Sequence, residues 1–174
     1  SPDSVYYLSL REKGYQVFPK EILRFKKLKK LDISMNNFEE LPMEIGQMSN
    51  LEYFASAYGK LKCLPESIGS MKKLIDLDLL YNDIDSLPHS IGELDSLRFL
   101  NLNGNRISSI PESMYNLQSL EELYLGQSEK KTLFNKKDQF LIPKYIFKEY
   151  NDDIIYKSIY NELSNPEIRK EITK

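Results

Sequence analysis

Residues 74–96 read LIDLDLLYNDIDSLPHSIGELDS, from Leu74 to Ser96, and the same order of residue types recurs every 23 residues along the chain. Val5, Leu28, Leu51, Leu74, Leu97 and Leu120 align as position 1 of a repeat. Position 4 is then Leu8, Leu31, Phe54, Leu77, Leu100 and Leu123, and position 6 is Leu10, Ile33, Ser56, Leu79, Leu102 and Leu125. Position 14 reads Phe18, Leu41, Leu64, Leu87 and Ile110, each followed by a proline: Pro19, Pro42, Pro65, Pro88 and Pro111. Three residues after each proline stands Ile22, Ile45, Ile68, Ile91 or Met114, and a further apolar residue follows at Phe25, Met48, Met71, Leu94 and Leu117. The unit is LxxLxLxxNxLxxLPxxIxxLxx.

Both halves of the unit have a physical reading. Apolar residues at positions 4 and 6 show the period of a short strand with one buried side, and PxxIxxL spaces its apolar residues for one face of a helical turn. Proline is expected at the first position of that turn, where its missing N–H leaves no bond unmade. A single repeat cannot bury its own apolar face. Stacked copies can, with a parallel sheet on one side of a continuous core and short helical turns on the other.

On these motifs the sequence resembles the leucine-rich-repeat superfamily, in its 23-residue LPxxIxxLxxL form found in Ras-binding scaffold proteins, plant intracellular repeat proteins and many bacterial proteins. The resemblance covers about residues 5–150. It implies an α/β fold: a right-handed solenoid with a parallel sheet on its concave face, short helical or 3-10 turns on its convex face, and a C-terminal helical cap. It also implies that Asn at position 9 turns inward to bond the backbone of the bend after each strand. Asn36, Asn82 and Asn105 fit, whereas Lys13, Gly59 and Ser128 should interrupt that ladder. With Gly59 and Ser56 both departing from the pattern, repeat 3 is expected to be looser or bent.

The expected organisation is a solenoid over 1–150 and a helical cap with tail over 151–174. In the sixth repeat the proline signature, Ile142 to Ile146, arrives nine residues late. An insertion over about 126–141 accounts for the delay, and it carries Lys130, Lys131, Lys136 and Lys137 around Leu133 and Phe134. It reads either as a basic arm for a partner or as a solvated loop. Asn151, Asp152 and Asp153 suit a helix start, and Ile155, Tyr156, Ile159, Tyr160 and Leu163 give that helix one apolar face before Pro166 ends it. At the other end the polar residues Ser9, Arg11, Glu12 and Lys13 are expected to shield the first edge themselves.

Composition narrows the function. The formal net charge of -2 gives no basic face for phosphate backbones, so nucleic acid is not an expected partner. No apolar run approaches the roughly 18 residues that cross a bilayer, so membrane insertion is not expected either. Ser1-Pro2-Asp3-Ser4 has no initiating Met and reads as a trimmed start. Cys63 is the one cysteine, which rules out an intramolecular disulfide and leaves the compartment open between cytoplasmic and secreted or surface locations.

Catalysis needs matched titratable groups within reach of one another. His89 is the one histidine and is expected on the convex side, and Cys63 has no His at any corresponding position. Zinc lacks ligands, because neither a CxxC nor a His pair occurs. Asp32, Asp76 and Asp78 are placed to form a carboxylate pair or a weak calcium site, and solvated strand residues are the commoner reading. No catalytic residue, metal or cofactor is therefore expected.

The resemblance places the residues between core leucines on the concave face. Position 3 runs Tyr7, Lys30, Tyr53, Asp76, Phe99, Glu122; position 5 runs Ser9, Asp32, Ala55, Asp78, Asn101, Tyr124; position 8 runs Glu12, Met35, Tyr58, Tyr81, Gly104, Gln127. Leu80 lies beside Tyr81 at position 7. Aromatic clusters with a polar rim are what protein interfaces concentrate, although β-propensity alone also enriches Tyr and Phe in strands. The expected binding residues are Met35, Tyr53, Tyr58, Asp76, Asp78, Leu80, Tyr81, Phe99, Asn101 and Tyr124, with the aromatic and apolar members largely exposed. The expected role is that of a monomeric, non-catalytic module for a protein partner, bacterial by resemblance. The alternative is the recognition module of a larger receptor, adhesin or effector.

Overall fold

The computed structural model describes residues 4–125; the insertion, the helical cap and the tail expected beyond them lie outside the described residues. Each repeat opens with a three-residue strand: β1 Tyr7–Ser9, β2 Lys30–Asp32, β3 Tyr53–Ala55, β4 Asp76–Asp78, β5 Phe99–Asn101 and β6 Glu122–Tyr124. The six strands pair in parallel, in chain order, each offset by one repeat, so Leu8, Leu31, Phe54, Leu77, Leu100 and Leu123 stand side by side. The 23-residue period thus becomes a single spatial step, as stacked repeats require.

Short 3-10 turns form the opposite side, at Lys20–Arg24, Met43–Gln47, Glu66–Ser70, His89–Glu93 and Glu112–Asn116. Each proline sits one residue before its turn and not inside it, which corrects the expected placement. Its φ of -73 to -65° leads the chain in, and its carbonyl accepts the N–H three residues on, from Ile22, Ile45, Ile68, Ile91 or Met114, at 3.0–3.1 Å. A residue that starts a turn through its carbonyl needs no N–H of its own, so proline suits the lead-in as well as it would suit the first helical position.

Between sheet and turns runs the core. Leu31, Phe54, Leu77 and Leu100 from the strands and Ile45, Ile68 and Ile91 from the turns are wholly buried. Gly46, Gly69 and Gly92 let successive turns nest, since a Cβ on any of them would strike the backbone of Ser67, Ser90 or Ser113 in the next repeat. The first edge is less well closed. Val5, Leu8 and Leu10 are half-buried and Val17 is 79% exposed, so the polar residues of repeat 1 do not shield that edge as expected.

The asparagine ladder forms where expected. Asn36 donates from Nδ2 to the carbonyls of Leu10 and Ile33, both at 2.8 Å, and its Oδ1 accepts the N–H of Lys13 and Tyr15. Asn82 bridges Ser56 and Leu79, and Asn105 bridges Leu79 and Leu102. At Gly59 the rung is missing, yet repeat 3 is not loose: Phe54, Ser56 and Leu61 are buried. The absent Cβ makes room for the Asn82 Oδ1, which accepts the Leu61 N–H at 3.0 Å.

Candidate functional site

The outward side of the sheet carries positions 3 and 5, with position 8 just beyond the strand ends. At position 3, Tyr53, Asp76 and Phe99 lie in register on adjacent strands and are half-buried. At position 8, Met35 is 38% and Tyr81 44% exposed, with Tyr58 between them in chain order and half-buried. The Tyr58 and Tyr81 ring centroids are 5.1 Å apart and tilted by 41°, a favourable geometry for two aromatic quadrupoles.

Four expected site residues are not on the surface. Leu80 is 2% and Asp78 6% exposed, and Asn101 and Tyr124 are equally buried. The reason lies in the bend after the strand. Asp32 Oδ1 accepts the Ser34 N–H at 2.9 Å, Asp78 Oδ1 that of Leu80 at 3.1 Å, and Asn101 Oδ1 that of Asn103 at 3.1 Å. Position 5 therefore folds down onto the bend, and position 7 turns in beneath it as the buried column Ser34, Ala57, Leu80 and Asn103. Tyr124 packs its ring 5.3 Å from that of Phe99. What remains outermost is Met35, Tyr53, Tyr58, Asp76, Tyr81 and Phe99.

The position-8 column has a property that strand alternation does not announce. Glu12, Met35, Tyr58 and Tyr81 have φ of 57, 57, 54 and 50°, in the left-handed region that bulky residues rarely enter. Gly104 takes the same conformation in repeat 5, at φ 67°. Its place in that column was the one available sequence signal, because glycine is the residue that adopts this backbone without strain. Gly104 also makes room for its neighbour: a Cβ there would run into the Tyr81 ring.

Electrostatically the face is acidic. Burial pushes the Asp78 carboxyl up to about 6, with Asp32 adding to the rise and the Leu80 N–H, Asn101 and Arg11 opposing it. Burial, then the nearby charge of Asp76, raises the Tyr53 hydroxyl well above its ordinary value. Arg11 approaches Asp32 to 3.9 Å. Among the described residues no three His, Cys, Asp or Glu side chains gather as a metal-binding group. Cys63 and His89 are both exposed.

Comparison with known proteins places this architecture. A model described as a leucine-rich repeat region matches residues 50–137, and a single leucine-rich repeat model matches residues 27–48. The chain belongs to the leucine-rich repeat family, whose domains are typically non-catalytic interaction modules. No curated protein matches it significantly. Among solved structures, it is similar to the leucine-rich repeat domain of the type III effector XopL, at 29% identity and TM-score 0.64, over 69% of this chain and 44% of that one. It also resembles the plant peptide hormone receptor RGFR1 in complex with RGF2, at 30% identity and TM-score 0.58, over 63% and 18% of the two chains. A third is the ectodomain of the receptor kinase GASSHO1/SCHENGEN3 from Arabidopsis thaliana in complex with Casparian strip integrity factor 2. There the identity is 28% and the TM-score 0.56, over 60% and 13%. The chain spans less than half the length of each of these structures.

Proposed function

We propose that this chain is a monomeric, non-catalytic recognition module that binds a protein partner through the outer sheet face. The observation that carries the reading is the left-handed column. A non-glycine residue held there costs of order 1–3 kcal/mol, yet Met35, Tyr58 and Tyr81 occupy it in three successive repeats. Gly104 shows that the backbone does not need them. Large side chains kept at such positions, and left partly exposed, serve something beyond the fold.

Two of the similar structures hold peptide or protein ligands, which supports an interaction role of this kind. Their receptor context, and the effector context of XopL, favour the second form of the reading, in which the acting portion of a larger protein lies elsewhere. The test is titration of a partner recovered by pull-down against Tyr58→Ala and Tyr81→Ala. Each is expected to weaken binding by about 1–3 kcal/mol, while His89→Ala on the turn face changes nothing. Unaltered binding by both tyrosine variants would remove the sheet face from consideration.

A further inference from the structure

Asp32, Asp78 and Asn101 do the same structural job, each accepting the N–H two residues on, and Asn101 shows that a neutral amide suffices. Burying a carboxylate where an amide would serve is unfavourable, because the charged form loses its hydration. Two of these three bends nevertheless carry the charge. At Asp32 the guanidinium of Arg11, 3.9 Å away, balances it; at Asp78 the charge is surplus to the turn. The surrounding surface has the same sign: of the side chains at positions 3, 5 and 8 that are not buried, Glu12, Asp76 and Glu122 are acidic against Lys30 alone, while Asp32 and Asp78 are buried. Lys30 stands on β2, two strands from Asp76.

Aromatic residues flank Asp76 on both sides. Asp76 lies between Tyr53 and Phe99 in the strand register, about 4.8 Å from each neighbouring strand. Farther along the chain, past the strand ends, the Tyr58 and Tyr81 rings pair with each other. Ring faces attract cations, and a carboxylate beside them reinforces that attraction. A bare metal ion fits poorly, since Asp32 and Asp78 already spend an oxygen on the backbone. An organic cation on an apolar stem satisfies both the rings and the charge.

We propose that the sheet face takes an extended segment of a partner protein that presents an Arg or Lys to Asp76 between Tyr53 and Phe99, with apolar side chains flanking it and reaching the Tyr58–Tyr81 pair. The inference rests on the reading of this face as a binding surface and adds the chemistry of what binds. An acidic segment is excluded by like-charge repulsion.

The experiment is selection of a displayed library of random linear peptides against the full chain, followed by titration of the enriched peptides. Enriched peptides are expected to carry Arg or Lys beside aromatic or aliphatic residues. They should bind Asp76→Asn and Asp78→Asn roughly three- to tenfold more weakly than the parent. Thermal melts of Asp78→Asn no lower than the parent's show that the loss is not unfolding. Neutral or acidic peptides that depend on Tyr81, or peptides indifferent to both Asn variants, overturn the cationic partner and leave the binding face standing. Peptides insensitive to Tyr81→Ala overturn both readings. A library that yields no enrichment overturns the extended cationic segment.

Discussion

On the turn side of the molecule, Gly46, Gly69 and Gly92 stand where successive repeats approach too closely for a Cβ. The bend on the sheet side has the opposite choice of residues: the backbone is one that glycine enters freely, and the chain holds Met35, Tyr58 and Tyr81 there. The same period thus yields one face built to minimise side chains and another that retains them against conformational cost. A turn face whose side chains are small where it packs is organised for stacking. A sheet face that keeps Met35, Tyr58 and Tyr81 at strained positions is the basis for proposing that it contacts a partner.

The two sides differ in their carboxylates as well. On the turn side, Glu66 accepts the N–H groups of His89 and Ser90 at 3.2 and 3.0 Å, capping the next repeat's turn from outside. The Ser90 backbone bond, foremost among these contacts, holds its carboxyl below the usual range. Other pairs between successive repeats, such as Arg98 with Glu121 and Lys20 with Glu44, are solvent-exposed and add little each. On the sheet side, Asp78 is buried and its carboxyl is raised.

The contrast is most sharply tested by exchanging the rules of the two faces. Gly92→Val forces a side chain into the Ser113 backbone and is expected to cost about 3 kcal/mol, read as a lowered denaturation midpoint, with partner affinity per folded molecule unchanged. A cost near zero would mean that the turns do not nest as described. Asp78→Asn should act in the other direction. The folded carboxyl, at about 6, lies above its unfolded value near 3.9, so the contribution of Asp78 to wild-type stability is fullest below about pH 4 and declines as pH rises through 6. The Asn variant is expected to lack that decline and to gain roughly 1–3 kcal/mol at pH 7. Denaturation curves from pH 4 to 7 decide it, and parallel curves for the two proteins would refute the burial argument.

Tyr81→Gly separates strain from contact at the bend. Relief of the left-handed tyrosine offsets loss of the Tyr58 ring contact, so stability should stay within about 1 kcal/mol while partner binding falls. If melting collapses with binding, Tyr81 is structural and the contrast between faces weakens. The smallest effect belongs to Glu66→Gln. Its lowered carboxyl supports the fold above the ordinary carboxylate pKa and ceases to as pH falls through the folded value, so the variant should flatten the acid end of the stability profile. At this exposed site the change should stay below about 1 kcal/mol.

Much of this was readable from residue order alone. A strict period places residues of one kind in one environment, and that repetition identified the strand register, the Leu and Ile core and the short turns, while the family resemblance it carries implied the ladder through Asn36, Asn82 and Asn105. The resemblance also placed Tyr53, Asp76, Phe99, Met35, Tyr58 and Tyr81 on one side, together with Asp78, Leu80, Asn101 and Tyr124, which the structure buries. What alternation could not determine was which outward-pointing residues stay in solvent. That depends on how the chain bends after each strand, where Asp32, Asp78 and Asn101 fold down onto the backbone and carry Leu80 and its column inward. Only the tertiary structure decided those positions, because burial there arises between repeats: each side chain is covered by neighbours 23 residues away, whose sizes and backbone conformations the local pattern does not contain.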